Sequence, residues 1–184
     1  MTLTERYEAL KAKVTERRDE FAKLMEFVED ETAYLTTPAS TRFHLCREQG
    51  LLEHSVNVAE TMLKLKNTLA PEISDESCVI TALLHDLGKV GMPGDPQYIK
   101  TSSTHSKYPY AFNNDLTYLS VPLRSLYLLL PYLPLTQEEA QAIAYHDGQY
   151  VDDNHSVATK ECPLTLLLQY ADSWSGFVIE KEEI

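Results

Sequence analysis

Cys78-Val-Ile-Thr-Ala-Leu-Leu-His85-Asp86-Leu-Gly-Lys89 is the stretch on which the reading of this chain turns. Seven residues with the character of a buried helix deliver an imidazole and a carboxylate side by side, and Gly88 then breaks the helix. Two ligand-type side chains at the end of a core helix cost stability unless something binds them. A divalent metal is the economical partner for His85 and Asp86. The dipeptide alone is weak evidence; its surroundings make the case.

Ser74 is placed to cap this helix, with Asp75 and Glu76 in its first turn, where negative charge suits the dipole. Upstream, a helix is predicted from Gly50 to about Leu69, stopped near Pro71, with Leu52, Val56, Ala59 and Leu63 as its buried face. Downstream, residues 91–114 hold most of the loop signals, and a loop of that length is more often a lid or binding loop than a bare connector. Leu116–Leu130 reads as a helix that must take Pro122 in its first turn or break there. Thr136-Gln-Glu-Glu139 is a capping box opening a helix that ends near Gly148. Pro163 opens the last helix, through Leu166, Leu167, Tyr170 and Trp174. Near the N-terminus, residues 4–31 read as one long helix, because Tyr7, Val14, Phe21 and Val28 recur every seven residues. No segment sustains period-two alternation, so the expected fold class is all-α, a single helical bundle with a long N-terminal helix.

The length of 184 residues suits one domain with a real core. The net charge of −12 argues against a nucleic-acid footprint over the whole surface, while a small anionic substrate stays compatible with a local metal and a few basic side chains. Cys46, Cys78 and Cys162 are odd in number and form no C-x-x-C pair, which points away from a disulfide framework or a zinc ribbon. The first residues lack the apolar stretch of a signal peptide, and no run approaches membrane-spanning length, so a cytoplasmic protein with no membrane partner is expected.

His54, His85, Asp86 and Asp172 each stand inside or at the end of an otherwise apolar helix. A buried Asp without a partner is expensive, so these helices are expected to converge on one polar centre. Two imidazoles and two carboxylates suit Mn²⁺, Fe²⁺, Co²⁺, Ni²⁺ or Zn²⁺, and also Mg²⁺, with positions left for water and substrate. Of the remaining histidines, His105 and His155 lie in polar loops and read as solvated.

The order His … His-Asp … Asp, with Gly50-Leu-Leu-Glu-His54-Ser and Leu83-Leu-His-Asp-Leu-Gly-Lys89, resembles the HD-domain superfamily of metal-dependent phosphohydrolases. The match looks closest to small HD proteins and the HD domains of 3′–5′ exoribonucleases, and covers roughly residues 40–178. The resemblance implies that His54, His85, Asp86 and Asp172 bind the metal and that Lys89 faces the substrate phosphate. His146, in Ala142-Ile-Ala-Tyr-His-Asp-Gly148, matches a segment where relatives have a histidine near the site; there it would bind a second metal, hold phosphate or act as general acid. His44 matches a histidine expected to line the pocket. The chain also departs from the family. Leu119-Ser-Val-Pro-Leu-Arg-Ser125 carries no His where relatives of this branch often have one, and Gln49 stands where Gly is common. One metal is therefore expected, and not a second.

Residues 1–35 are accordingly read as a helix packing on the core or on a partner, with a homodimer in view, and residues 36–184 as the HD domain. The expected reaction is hydrolysis of a phosphate ester or anhydride, with a nucleotide as the small phosphorylated substrate. Asp86 would orient the water, His146 would help the leaving group, and Lys89 with Arg124 or Arg42 would balance charge. Tyr98, Tyr108, Tyr110 and Phe112 in the long loop are candidates to stack a base. The competing classes are a non-catalytic HD module that binds a nucleotide or a partner, and a single-strand nuclease, against which the acidic balance counts. Serine or cysteine hydrolysis through Ser55 or Cys46 lacks a nucleophile-elbow context.

Overall fold

The computed structural model describes residues 1–102 and 108–181, so His105 lies outside the described residues. The central helix forms as its sequence dictates. Ser74 Oγ accepts from the Ser77 amide, and every side chain from Cys78 to Leu84 is buried. We number this helix α4 (Asp75–Leu84), after α1 (Leu3–Lys11), α2 (Arg18–Asp30) and α3 (Gly50–Leu69). It is followed by α5 (Val121–Leu129), α6 (Gln137–Ala144) and α7 (Pro163–Trp174). Helix α3 packs along both α4 and α7, and α6 also packs on α7, so these four helices frame a core that α1, α2 and α5 complete. Among the described residues the fold is all-α apart from one short antiparallel strand pair.

Helix α4 ends at Leu84, one turn before Gly88, and Leu87–Val90 form a tighter 3₁₀ turn. Gly88 has a different task from the helix breaking expected of it. A Cβ there would stand 2.2 Å from the Val121 carbonyl oxygen, so only glycine lets the start of α5 close against the turn. Its amide donates to Ser125 Oγ at 2.8 Å, and that hydroxyl donates to the His85 carbonyl at 2.8 Å. Thus α5 holds the backbone on both sides of Asp86.

The N-terminal segment corrects the expectation of one helix over residues 4–31. It is two helices, α1 and α2, broken between Ala12 and Arg17. The break is fixed from outside: the buried Glu76 carboxylate of α4 accepts from the amides of Thr15 and Glu16, both at 2.7 Å. Arg17 then bridges Glu76 at 2.8 Å and Glu139 of α6 at 2.6 Å. Two amides without helical partners find them on another helix, which makes the break favourable. Tyr7, Val14, Phe21 and Val28 are nonetheless all buried, and their seam is used within the chain's own core.

Two further boundaries differ. Residues 116–120 are not helical; α5 begins at Val121 with Pro122 in its first turn. Within the long segment, β1 (Tyr98–Lys100) pairs antiparallel with β2 (Tyr110–Phe112), Tyr98 opposite Phe112. Aromatic and β-branched residues favour these strands, but three residues are too few for alternation to show. The capping box forms with both bonds, Glu139 amide to Thr136 Oγ1 and Thr136 amide to Glu139 Oε2. Among the described residues no helix is long and apolar enough to cross a membrane.

Because Arg17 neutralises two carboxylates, one of them on the fully buried Glu139 side chain, its removal strands buried charge. Arg17→Ala is expected to lower the unfolding free energy by about 3 kcal/mol, read by urea denaturation. A loss under about 1 kcal/mol would mean that the guanidinium is an ordinary surface partner.

Candidate metal centre

Three helices bring the expected ligands together. His54 comes from the first turns of α3, His85 and Asp86 from the end of α4, and Asp172 from the last turn of α7. His54 Nε2 lies 3.1 Å from Asp172 Oδ1 and 3.6 Å from Asp86 Oδ2. His85 Nε2 lies 3.5 Å from Asp86 Oδ2 and 4.0 Å from Asp172 Oδ1. Donors that share one ion at about 2.1 Å stand about 3.0 to 4.2 Å apart, and these four imidazole–carboxylate distances fall in that range.

The orientation of each imidazole is set from behind. His85 Nδ1–H donates to the Ala82 carbonyl at 2.8 Å, and His146 Nδ1–H donates to the Ile143 carbonyl at 2.9 Å. His54 Nδ1–H donates to the Glu180 carboxylate at 3.0 Å. All three rings therefore present Nε2 to the same centre. His85 Nε2 is buried without a hydrogen-bond partner, with carboxylate oxygens of Asp86 and Asp172 3.5 and 4.0 Å away. A lone pair facing carboxylates is unfavourable as it stands and favourable around a cation. The donor set thus fits a divalent metal. The C-terminal ends of α4 and α6 both face this centre, and their partial negative charge favours a cation there as well.

The ion cluster titrates accordingly. Burial opposes charge on His54, but the carboxylates of Asp172 and Glu180 outweigh it and raise its pKa to about 10. Burial dominates at His85 and lowers it to about 4. His146 is raised to about 9 despite burial, by Asp86 first and then Asp147. Asp172 is held below the usual carboxylate range, mainly by His54, against its burial.

A cleft of about 710 Å³ opens over the centre, and His44, His54, Asp86, Lys89, His146 and Asp172 line its floor. Lys89 Nζ rests 2.5 Å from Asp86 Oδ2. His146 Nε2 lies 3.5 Å from Asp86 Oδ1, on the opposite side of that carboxylate. The donor atoms of His85, His146 and Asp172 lie within 4.8 Å of one another, so His146 belongs to the centre and not only to its rim. His44 packs against His54 with ring centroids 4.9 Å apart and the rings tilted by 37°. Arg124 lines the cleft wall, but its terminal nitrogens are donated to Gln97 Oε1 and to the carbonyls of Gly88, Thr117 and Leu119. The Arg42 guanidinium lies over the Tyr108 ring. Of the aromatic residues expected to stack a base, Phe112 lines the cleft, Tyr98 meets it edge-on, and Tyr110 is buried. His155 is exposed, as expected.

Sequence reasoning missed Glu180, Asn57 and Tyr118. Glu180 sits in a charged C-terminal run and Asn57 in a helix face, so neither carried a signal, whereas Tyr118 is an exposed aromatic on the cleft wall.

Comparison with known proteins adds one positive finding. A family model described as HD domain matches residues 51–175. No curated protein and no solved structure matches the chain.

If a metal takes His54 Nε2, it must displace the proton that Asp172 holds there. Uptake of Mn²⁺ or Zn²⁺ by the metal-free protein is expected to release about one proton, and affinity should rise about tenfold per pH unit from 6.5 towards 10. Calorimetry in buffers of different ionisation enthalpy measures both; affinity that stays flat over this range contradicts the assignment. In the metal-free protein, His54 contributes stability that is complete below its ordinary pKa of 6.5 and lost as pH rises through about 10. His85 contributes stability above 6.5 that is lost as pH falls through about 4.

Proposed function

The chain belongs to the HD-domain family of metal-dependent phosphohydrolases, and from that premise we propose that it hydrolyses the phosphate of a nucleotide. The observation that carries the reading is the buried His85 Nε2, aimed at two carboxylates with no donor to meet it. In this reading His54, His85, Asp86 and Asp172 hold one divalent metal, of the Mn, Fe, Co, Ni or Zn type or Mg. When bound, it supplies Lewis acidity and a water of lowered pKa.

The chain's own residues do the rest. Asp86 orients the attacking water, and Lys89, at 2.5 Å from Asp86 Oδ2, offers its ammonium to the phosphate oxygens at the cleft floor. His146, its Nδ1–H held by the Ile143 carbonyl and its Nε2 turned to the centre 3.5 Å from Asp86 Oδ1, gives a proton to the leaving oxygen. His44 bounds the substrate on the His54 side. Arg124 lends its charge from within the wall while it fixes Gln97 and the Gly88 turn. Phe112 and Tyr118 present exposed rings to the cleft and suit a planar base.

The charge on the walls favours a compact phosphate. Lys89 and Arg124 are the permanent cations among the described lining residues, while Asp147 and Asp153 line the same cleft beyond the centre. A polyphosphate would extend its charge towards those carboxylates, whereas a monophosphate ends at Lys89 and leaves its sugar hydroxyls to them.

With Mn²⁺, phosphate release from nucleoside monophosphates is expected to exceed that from the matching triphosphates at least tenfold in kcat/KM. His85→Ala and Asp172→Ala should each lower kcat at least a thousandfold, and Lys89→Ala should lower kcat/KM about a hundredfold. Metal binding without activity on any phosphate substrate would favour the non-catalytic binding module instead.

A further inference from the structure

Glu180 lies beyond the segment that the family model matches, yet its carboxylate is among the most buried charges of the centre, with 1 % of its side chain exposed. Helix α7 widens into a π-helical turn over Ser175–Ile179, and that turn carries Glu180 back under the first turns of α3. There its two oxygens face His54 Nδ1 at 3.0 and 3.1 Å, and Oε1 also accepts from the Asn57 amide at 3.0 Å. His44 Nε2 approaches Oε2 at 3.6 Å.

We propose that Glu180 is a positioning residue for the metal: it fixes His54 as the Nδ1–H tautomer, turns Nε2 to the centre, and strengthens that nitrogen as a ligand. The proposal rests on the metal-centre reading above. Three features of the geometry support it. His85 and His146 are anchored by backbone carbonyls three residues earlier, which is a neutral device built into their own helices. Among the described residues, His54 Nδ1 instead meets a carboxylate 126 residues away, a charged acceptor that a helix interior does not supply. Asn57, one turn after His54 on α3, fixes the carboxylate in turn, so the imidazole and its acceptor are tied to the same helix. A carboxylate behind a ligating imidazole raises its basicity, and losing such a partner typically costs about 10- to 100-fold in metal affinity.

The test measures Zn²⁺ and Co²⁺ affinity of the full chain by calorimetry, with folding checked by circular dichroism, for Glu180→Gln, Glu180→Ala and His54→Ala. Glu180→Ala is expected to lose 10- to 100-fold in affinity. Glu180→Gln, which keeps an acceptor for Nδ1–H but not the charge, should fall between it and the wild type. In Zn²⁺-bound protein carrying ¹⁵N-histidine, the His54 Nδ1 proton should resonate downfield and move upfield in Glu180→Gln, a change that a purely structural role would not produce. If both Glu180 variants fold and bind metal with wild-type affinity, the positioning role is overturned while the metal centre stands. If His54→Ala also binds like the wild type, the metal-centre reading itself fails. Should Glu180→Ala not fold, the isosteric Glu180→Gln decides through its affinity and the Nδ1 proton shift.

Discussion

The centre of this protein depends on how its imidazoles are anchored at Nδ1. A histidine ring with a free choice of tautomer and rotation makes a poor ligand, because ordering it costs entropy at the moment of binding. Here the cost is met during folding. The Ala82 and Ile143 carbonyls, left over at the ends of α4 and α6, take the Nδ1 protons of His85 and His146. Both are acceptors that a helix end must satisfy somehow, so the same bonds finish the helices and aim the rings. The two His-Asp segments are thus one local device used twice, each on the last turn of a helix.

That device explains why so much of the centre could be read from the chain. An apolar run ending in His85-Asp86 must be a helix whose polar end faces inward, and His54 and Asp172 obey the same logic on α3 and α7. The capping residues Ser74 and Thr136 act locally, so their spacing is enough to place helix starts. What was hidden depends on distant partners. The break between α1 and α2 exists because Glu76, some sixty residues away, takes the Thr15 and Glu16 amides, and periodicity alone runs straight through it. Glu180 looks like one acid in a solvated tail, and only the turn after α7 shows where it goes. Arg124 looks like a free cation on paper, yet the carbonyls around it take its terminal nitrogens.

Gln49 makes the same point at the level of one dihedral angle. Its φ of 65° at the start of α3 is the left-handed region, where glycine is at ease and a side chain costs about 1 kcal/mol. A residue with a side chain is therefore carried in the glycine-like conformation, directly ahead of the helix that presents His54.

The Arg17 bridge has a consequence at the other end of the molecule. Glu76 and Glu139 stand in the first turns of α4 and α6, and the far ends of those helices carry His85-Asp86 and His146. The two helices behave like the arms of a pair of callipers, with the guanidinium as the screw. Arg17 ties the arms together at one end, and at the other the His85 and His146 rings stand 4.7 Å apart. A half-buried residue near the N-terminus thereby braces two helices whose far ends carry a site it never touches.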